Sequence, residues 1–303
     1  MCAYATVHVP LFHPIVAAKQ FATADHLSRG RIGLNIVCGS NQDEFEMFGI
    51  EQKEHDVRYE LGQEWWDIVR RIWAGEGPFD FLGQFFSLTG VLGSPRPWNK
   101  RVIPMMNAGA SPAGRAFAIR NSDFHYDFCR LPEEHIGRIQ ETKDRASECG
   151  HAIEVWTPIA VVCRRTQKEA EDFVQYCIEN ADWTALDKRD EILRKNPKGS
   201  RSQSPETARQ IRRNEHARAI IGRSHYTIYG SPDQVTSELR RLHQAGYGGV
   251  AIGFVNYLDE LPHFAQEVLP RLERMGLRQP KRERCGSAYD RPELPGRDNA
   301  IAG

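Results

Sequence analysis

One asparagine interrupts an otherwise apolar stretch of this sequence. Asn35 stands between Leu34 and Ile36, near the end of a strand predicted over residues 32–37. A buried amide without hydrogen-bond partners destabilises a protein, and the C-terminal ends of parallel strands are where α/β folds bind ligands. From this residue alone, a core amide satisfied by neighbouring backbone is the simpler interpretation, and a ligand-binding amide is the alternative.

A run of small residues at positions 107–114 could bind an anion. The residues Asn-Ala-Gly-Ala-Ser-Pro-Ala-Gly follow a predicted strand and open a predicted helix, with Ser111 as its N-cap. Small side chains let the backbone approach an anion closely, and the free N–H groups and dipole of a helix start favour phosphate. Taken alone, the run also fits an ordinary capped strand–helix turn, which is the simpler interpretation.

Several other chemistries lack their motifs in this sequence. It contains no Gly-x-Ser-x-Gly, no Walker loop and no Gly-x-Gly-x-x-Gly, so a nicotinamide-binding Rossmann site is not predicted. None of the 11 histidines has metal-ligand spacing, so no metal site is predicted. His26 and His55 are interpreted as structural.

The composition limits the classes of binding partner and the cellular compartment expected for this protein. Lys+Arg and Asp+Glu both number 40, so the net charge is zero, which argues against nucleic acid or a membrane surface as the main partner. No apolar run approaches the roughly 20 residues of a membrane span, and the N-terminus has no basic segment typical of a signal peptide. The seven cysteines form no Cys-x-x-Cys pair, so free thiols in the cytoplasm are expected.

Strands and helices alternate along the chain, which predicts parallel βαβ units and an α/β fold of the (β/α)8 TIM-barrel type. The predicted strands cover residues 6–9, 32–37, 102–106, 123–128, 153–163 and 249–254. The predicted helices cover residues 15–27, 60–73, 111–121, 133–149, 167–182, 233–245 and 261–275. A short hairpin is expected over residues 79–92.

The predicted strands number about six, whereas a barrel of this type has eight. Residues 1–279 are therefore expected to form a barrel domain that is about two strands short of a full barrel. The charged residues 182–220 are predicted to be an insertion, either a solvated excursion, which is the simpler interpretation, or a lid over the barrel mouth. Residues 280–303, polar and rich in Pro and Gly, are predicted to be a disordered tail.

Four blocks of the sequence carry a resemblance to a known family. They are residues 25–50 with Gly33-Leu34-Asn35-Ile36-Val37, then His55-Asp56-Val57-Arg58-Tyr59, residues 106–117, and residues 229–235. In this order the blocks resemble the bacterial-luciferase-like flavin monooxygenases, in the branch of the alkanesulfonate and pyrimidine monooxygenases. The blocks are specific to the superfamily and do not identify a substrate. The family usually carries two further strand–helix units before the position of Thr6, so the resemblance implies that residues 1–279 lack the first two units of the barrel.

The resemblance implies FMN as the cofactor, used in its reduced form, FMNH2. It makes Ser111 a ligand of the FMN phosphate, with backbone contacts from Gly109 and Ala110. Arg58 and Tyr59 match a family pair that contacts the flavin, and the Arg58 guanidinium could pair with the phosphate.

The resemblance also implies residues near the rest of the flavin. Glu44 matches a carboxylate that contacts the flavin through its ribityl hydroxyls, with a solvated loop acid as an equally weighted alternative. Thr6 and Asn35 occupy the positions expected near the isoalloxazine ring and the dioxygen site, and they are the predicted catalytic residues. Ser40 departs from the family pattern, which usually has Trp there, so one aromatic wall of the pocket is missing.

The implied reaction is the insertion of one oxygen atom from O2 into a small organic substrate through a flavin (hydro)peroxide. A separate flavin reductase would use NAD(P)H to supply FMNH2, and a homo-oligomer is expected. One alternative is an F420-dependent oxidoreductase of the same superfamily, although the blocks around Asn35 and Arg58-Tyr59 favour FMN. The other is a truncated, non-catalytic flavin-binding protein, which the missing strand–helix units favour.

Overall fold

The structure is a computed structural model that describes residues 2–39, 41–129, 131–188, 220–222 and 226–279. Most of the predicted insertion at residues 182–220 and all of the predicted tail at residues 280–303 lie outside the described residues. Both therefore stay predictions, as does the domain boundary at residue 279.

A parallel sheet forms the centre of the fold, as the alternating pattern predicted. Its strands are β1 (Ala3–His8), β2 (Ile32–Val37), β5 (Met105–Asn107), β6 (Phe124–Tyr126), β7 (Glu154–Cys163), β8 (Tyr226–Gly230) and β9 (Gly249–Gly253). They lie in the order β1-β2-β5-β6-β7, and both β8 and β9 pair with β7. The sheet curls into a half-barrel, which confirms the TIM-barrel type of fold. Among the described strands, β1, β8 and β9 each pair with a single neighbour.

Helices follow the strands and cover one face of the sheet. They are α1 (Pro14–Ser28), α2 (Gln42–Met47), α3 (His55–Ala74), α4 (Pro112–Asn121), α5 (Ile136–Glu148), α6 (Gln167–Glu179), α7 (Pro232–Gln244), α8 (Tyr257–Glu267) and α9 (Leu269–Arg274). A separate antiparallel hairpin joins β3 (Phe79–Leu82) to β4 (Ser87–Val91), within the range predicted for it.

Some element boundaries were predicted wrongly. The helix expected over residues 261–275 is two helices, α8 and α9, separated at Val268. Pro270 near the start of α9 has no N–H to donate, so the hydrogen-bond ladder restarts there. Helix α2 and strand β8 were not predicted, because each is short and α2 is too acidic to show an apolar period.

The outer face of the sheet packs tightly against α1 and α3. Trp65 and Trp66 of α3 are fully buried against this face. The indole N–H of Trp65 donates to the Phe12 carbonyl (2.8 Å), and that of Trp73 donates to the Ala18 carbonyl (3.0 Å). Because these buried donors are satisfied, α3 is held in one position against the loop after β1 and against α1.

Along each strand, successive side chains point alternately to this core and to the inner face of the half-barrel. In β2, Leu34 and Ile36 are fully buried, whereas Asn35 between them is only half-buried. Deeper on the same inner face the Tyr4 ring lies directly over Gly33, where any Cβ would collide with it. The polar side chains near the strand ends, such as Asn35, therefore lie above the Tyr4 ring.

No described helix meets the length and apolarity that a membrane crossing requires. Within the described residues, no group of three or more His, Cys, Asp or Glu side chains is placed to hold a metal ion.

Candidate functional site

Two of the predicted catalytic residues are neighbours in the sheet. Thr6 of β1 pairs in register with Asn35 of β2, and Asn35 pairs with Met106 of β5. The Asn35 amide donates from Nδ2 to the Thr6 hydroxyl at 3.0 Å. Asn35 is half-buried and Thr6 is exposed, so this pair faces the open side of the half-barrel. The simpler sequence interpretation, an amide enclosed in the core, does not describe Asn35.

The fully enclosed strand amide is Asn107, which the sequence analysis did not single out. Its side chain is 3% exposed. Its Nδ2 donates to the Ile36 carbonyl at 2.8 Å, and its Oδ1 accepts the Gly109 N–H at 2.8 Å. Asn107 therefore ties the end of β2 to the loop that opens α4. The signal was available, since Asn107 ends an apolar run before a glycine, just as Asn35 interrupts one.

The loop from Asn107 to Ser111 is packed as tightly as the small residues predicted. An added Cβ on Gly109 would lie 2.7 Å from the Gly114 Cα, and one on Gly114 would lie 2.5 Å from the Tyr59 hydroxyl. The Ser111 hydroxyl caps α4 by accepting the Gly114 N–H at 3.1 Å. The loop thus lies directly on the first turn of the helix, with only glycine possible at the contact.

Tyr59 joins this loop from helix α3. Its hydroxyl lies beside Gly114, the residue whose N–H the Ser111 side chain accepts, and its ring lies 6.0 Å from that of Phe117, measured between centroids. Burial is the main cause that raises the pKa of the Tyr59 phenol, so the group is a neutral hydroxyl at neutral pH. The structure therefore brings Tyr59, Gly109, Ala110 and Ser111 together, and their contacts with a flavin stay predictions.

Arg58 occupies a different place from its neighbour Tyr59. Its side chain is 2% exposed, and Nη1 donates to the Gly39 carbonyl in the loop after β2. Burial lowers the pKa of the guanidinium, although a group that starts so high stays charged. Burial also raises the pKa of the adjacent Cys38 thiol to about 12. Arg58 thus holds the loop that leads into α2.

Glu44 lies in the first turn of α2. Its Oε2 is 3.8 Å from His8 Nδ1, and both side chains are partly exposed. His8 was missed by the sequence analysis, although it lies two residues after Thr6 in β1 and therefore points to the same face. His8 adds a group that can carry a proton to the cluster of Thr6, Asn35 and Glu44.

The candidate site therefore has two parts at the C-terminal edge of the sheet. One is the polar cluster on β1, β2 and α2, and the other is the small-residue loop before α4 with Tyr59. Asn107 connects them through the backbone at Ile36. A hydroxyl pair and a tightly packed glycine turn suit a phosphate, and an open polar cluster suits a polar ring system.

Most of this chain matches a known protein family. Residues 3–248 match the family model described as luciferase-like monooxygenase. The FMNH2-dependent dimethylsulfone monooxygenase of Pseudomonas fluorescens is 28% identical over 264 residues, which cover 86% of this chain and 70% of that protein. The pyrimidine monooxygenase RutA of Escherichia coli is 28% identical over 278 residues, covering 89% of this chain and 70% of that protein.

The fold is shared with a solved flavin enzyme. The crystal structure of riboflavin lyase (RcaE), with modified FMN and riboflavin as substrate, superposes with a TM-score of 0.81 at 20% identity. The match covers 97% of this chain and 75% of that chain.

Proposed function

This chain belongs to the luciferase-like monooxygenase family, and we propose that it uses FMNH2 to insert one oxygen atom from O2 into a small organic substrate. The family match over residues 3–248 carries the proposal. The relative named above as FMNH2-dependent, the dimethylsulfone monooxygenase, favours this cofactor over the F420 alternative.

The residues present fit a flavin phosphate at the α4 loop. Gly109 and Gly114 pack backbone against backbone, which fixes the shape of the loop before α4. Ser111 and Tyr59 offer hydroxyls beside it, and Ala110 is exposed at its edge. We place the phosphate there, with Ser111, Tyr59 and Ala110 as its binding residues; Gly109 shapes the loop, because its N–H is already bonded to Asn107.

The polar cluster would face the reactive part of the cofactor. We assign Thr6 and Asn35 to the isoalloxazine ring and the dioxygen site, and Glu44 to the ribityl hydroxyls. Reduced FMN, when bound, would supply the electrons for the reduction of O2. The Asn35 amide and the Thr6 hydroxyl would orient the reactants and offer hydrogen bonds where charge develops.

In this proposal Arg58 acts on the flavin site indirectly, through the loop that contains Gly39. Its guanidinium holds the Gly39 carbonyl, and the loop that contains Gly39 leads to Glu44. We therefore propose that Arg58 keeps Glu44 near the ribityl chain; direct pairing of its guanidinium with the phosphate is the alternative proposal.

The partners follow from the reaction. Since the sequence has no dinucleotide-binding fingerprint, we propose that a separate flavin reductase uses NAD(P)H and delivers FMNH2. We also propose a homo-oligomer in the cytoplasm. Cys2, Cys38, Cys129, Cys149, Cys163 and Cys177 are all free thiols, which suits a reducing compartment.

The test supplies the enzyme with reduced FMN and 18O2. Photoreduced FMN is mixed with the protein, 18O2 and a panel of sulfones, sulfonates and pyrimidines, and products are analysed by mass spectrometry. The expected result is one 18O atom in one product class. Binding of FMN with only hydrogen peroxide as product across the panel would argue for a flavin-binding protein without oxygenase activity.

A further inference from the structure

We propose that His125 is a positioning residue that aims the Ala110 N–H at the cofactor phosphate. This inference rests on the proposed function, because it concerns the same phosphate site. His125 does not touch the phosphate in this proposal. It acts through the carbonyl group of Gly109.

His125 is enclosed behind the α4 loop. It belongs to β6 and is 1% exposed. Its Nε2 lies 3.2 Å from the Gly109 carbonyl oxygen. A carbonyl oxygen can only accept, so Nε2 carries the proton. Burial lowers the pKa of the imidazole, which keeps the ring neutral, and its buried Nδ1 has no hydrogen-bond partner among the described residues.

Because the peptide bond is planar, this contact also determines the direction in which the Ala110 N–H points. In a trans peptide the C=O of one residue and the N–H of the next point in opposite directions. Since His125 draws the Gly109 carbonyl toward β6, the Ala110 N–H points away from the core, on the side where Ala110 is exposed.

The neighbouring N–H points inward. Asn107 Oδ1 accepts the Gly109 N–H at 2.8 Å, so that donor is already used within the protein. Gly109 therefore contributes its conformation and its carbonyl direction to the site, and the outward donor is that of Ala110.

The opposite orientation of the Gly109–Ala110 peptide is disfavoured. It would leave the His125 Nε2–H buried without an acceptor, which is unfavourable. The close contact of Gly109 with Gly114 also leaves little room for the loop to move as a whole. The donor is thus oriented before any ligand arrives. This favours binding, because less conformational entropy is lost when the ligand binds.

The experiment compares the affinities of FMN and riboflavin, which differ by the phosphate. His125→Leu removes the donor, and its ratio of riboflavin Kd to FMN Kd should fall about tenfold, as expected for one well-placed hydrogen bond. His151→Leu is the matched control, since His151 is also buried and its Nε2 contacts the Ile119 carbonyl at 2.7 Å, away from this loop. That variant should keep the wild-type ratio.

A second pair of variants guards against loss of folding. His125→Gln keeps a donor at the reach of Nε2 and should retain most of the ratio. His125→Asn carries the same amide on a shorter side chain and should lose it. Circular dichroism and thermal unfolding identify the folded variants.

Two outcomes would count against the inference in different ways. A wild-type ratio near one would overturn the phosphate site and this inference together. A clear wild-type preference for FMN that persists in folded His125→Leu and His125→Asn would overturn the role of His125 alone and leave the phosphate site intact.

Discussion

At the scale of single residues, the side-chain amides of Asn107 and Asn35 have different roles in the candidate site. Asn107 is enclosed and uses both ends of its amide to join β2 to the α4 loop. Asn35 is half-buried, and within the described part of the chain its side chain makes one hydrogen bond, to Thr6. A strand asparagine near the mouth of a half-barrel can therefore be structural or available for chemistry, and its number of internal partners separates the two cases.

The substitution Asn35→Asp tests the assignment of Asn35 to the dioxygen site. The side chain is nearly isosteric, and the Thr6 hydroxyl can donate to the new carboxylate, so folding and FMN affinity should be retained. The negative charge should oppose charge that develops on oxygen, so oxygenation should fall by roughly 10²–10³-fold. More of the consumed O2 should appear as hydrogen peroxide.

The control for Asn35→Asp is Asn180→Asp, an exposed position at the end of α6. It adds the same charge away from the site and should leave the product ratio unchanged. Equal coupling of oxygen to product in wild type and Asn35→Asp would leave Asn35 as a purely structural amide.

Ser111→Ala separates helix capping from ligand binding. Ser111 and Ser231 are both N-caps followed by proline, at the starts of α4 and α7. Either substitution to alanine should lower the free energy of unfolding by about 1 kcal/mol. Only Ser111→Ala should also weaken FMN binding, because only that hydroxyl lies beside Tyr59 and Gly109. Urea unfolding and FMN titration measure the two effects, and equal FMN affinities for the two variants would remove Ser111 from the site.

At the scale of elements, loops at the C-terminal ends of β2 and β5 are held from behind by buried polar side chains. Asn107 and His125 hold the loop before α4, and Arg58 holds the loop before α2. These holders lie on strands and helices of the core, whereas Ala110 and Glu44 lie at the surface. Rigid elements thus position groups that would otherwise move with their loops.

Thiol labelling can test the hold of Arg58 on its loop. Cys38 is buried and its pKa is raised to about 12 by that burial, so alkylation at pH 8 should be slow in the wild type. Arg58→Ala should free the Gly39 loop and speed labelling of Cys38 in the absence of flavin. Arg58→Lys should fall between, since an ammonium can still donate to the Gly39 carbonyl.

Cys129 provides the internal reference, because it is equally buried but lies after β6, away from Arg58. Its labelling should not change, and mass spectrometry of the digested protein distinguishes the two sites. If Arg58→Ala leaves Cys38 as protected as Cys129, Arg58 does not hold this loop, and a direct role with the phosphate becomes the better explanation.

At the scale of the whole molecule, the described surface carries many exposed apolar side chains. Leu27, Met47, Leu82 and Leu258 are each more than 80% exposed. Exposed apolar surface often marks contacts between proteins when it forms patches, and the zero net charge does not oppose association. Both features support the proposed homo-oligomer.

Light scattering on a size-exclusion column measures this directly. One chain has a mass of 34.5 kDa, and we expect a particle of at least two chains at micromolar concentration. A sharp, soluble peak at the mass of one chain would contradict the proposal. The position of that peak should not depend on FMN, because the proposed flavin site lies at the strand ends and involves one chain.

Much of the fold could be predicted from local patterns. The alternation of strands and helices, the hairpin and the Ser111 cap each depend on a few neighbouring residues, and the structure confirms them. The boundaries of α8 and α9, the short helix α2 and strand β8 were not found, because their formation depends on packing more than on local propensity.

For the candidate site too, some features could be predicted from the sequence and others depended on the tertiary structure. The sequence by itself determined the family and the residue types at the strand ends, because those are recorded in short blocks such as residues 106–117. Only the tertiary structure decided that Asn107 and not Asn35 is the enclosed amide, that His8 faces Glu44, and that His125 reaches Gly109. Each of these contacts joins different strands or loops, and the partner of a polar side chain is set by the curling of the sheet, which no local pattern encodes.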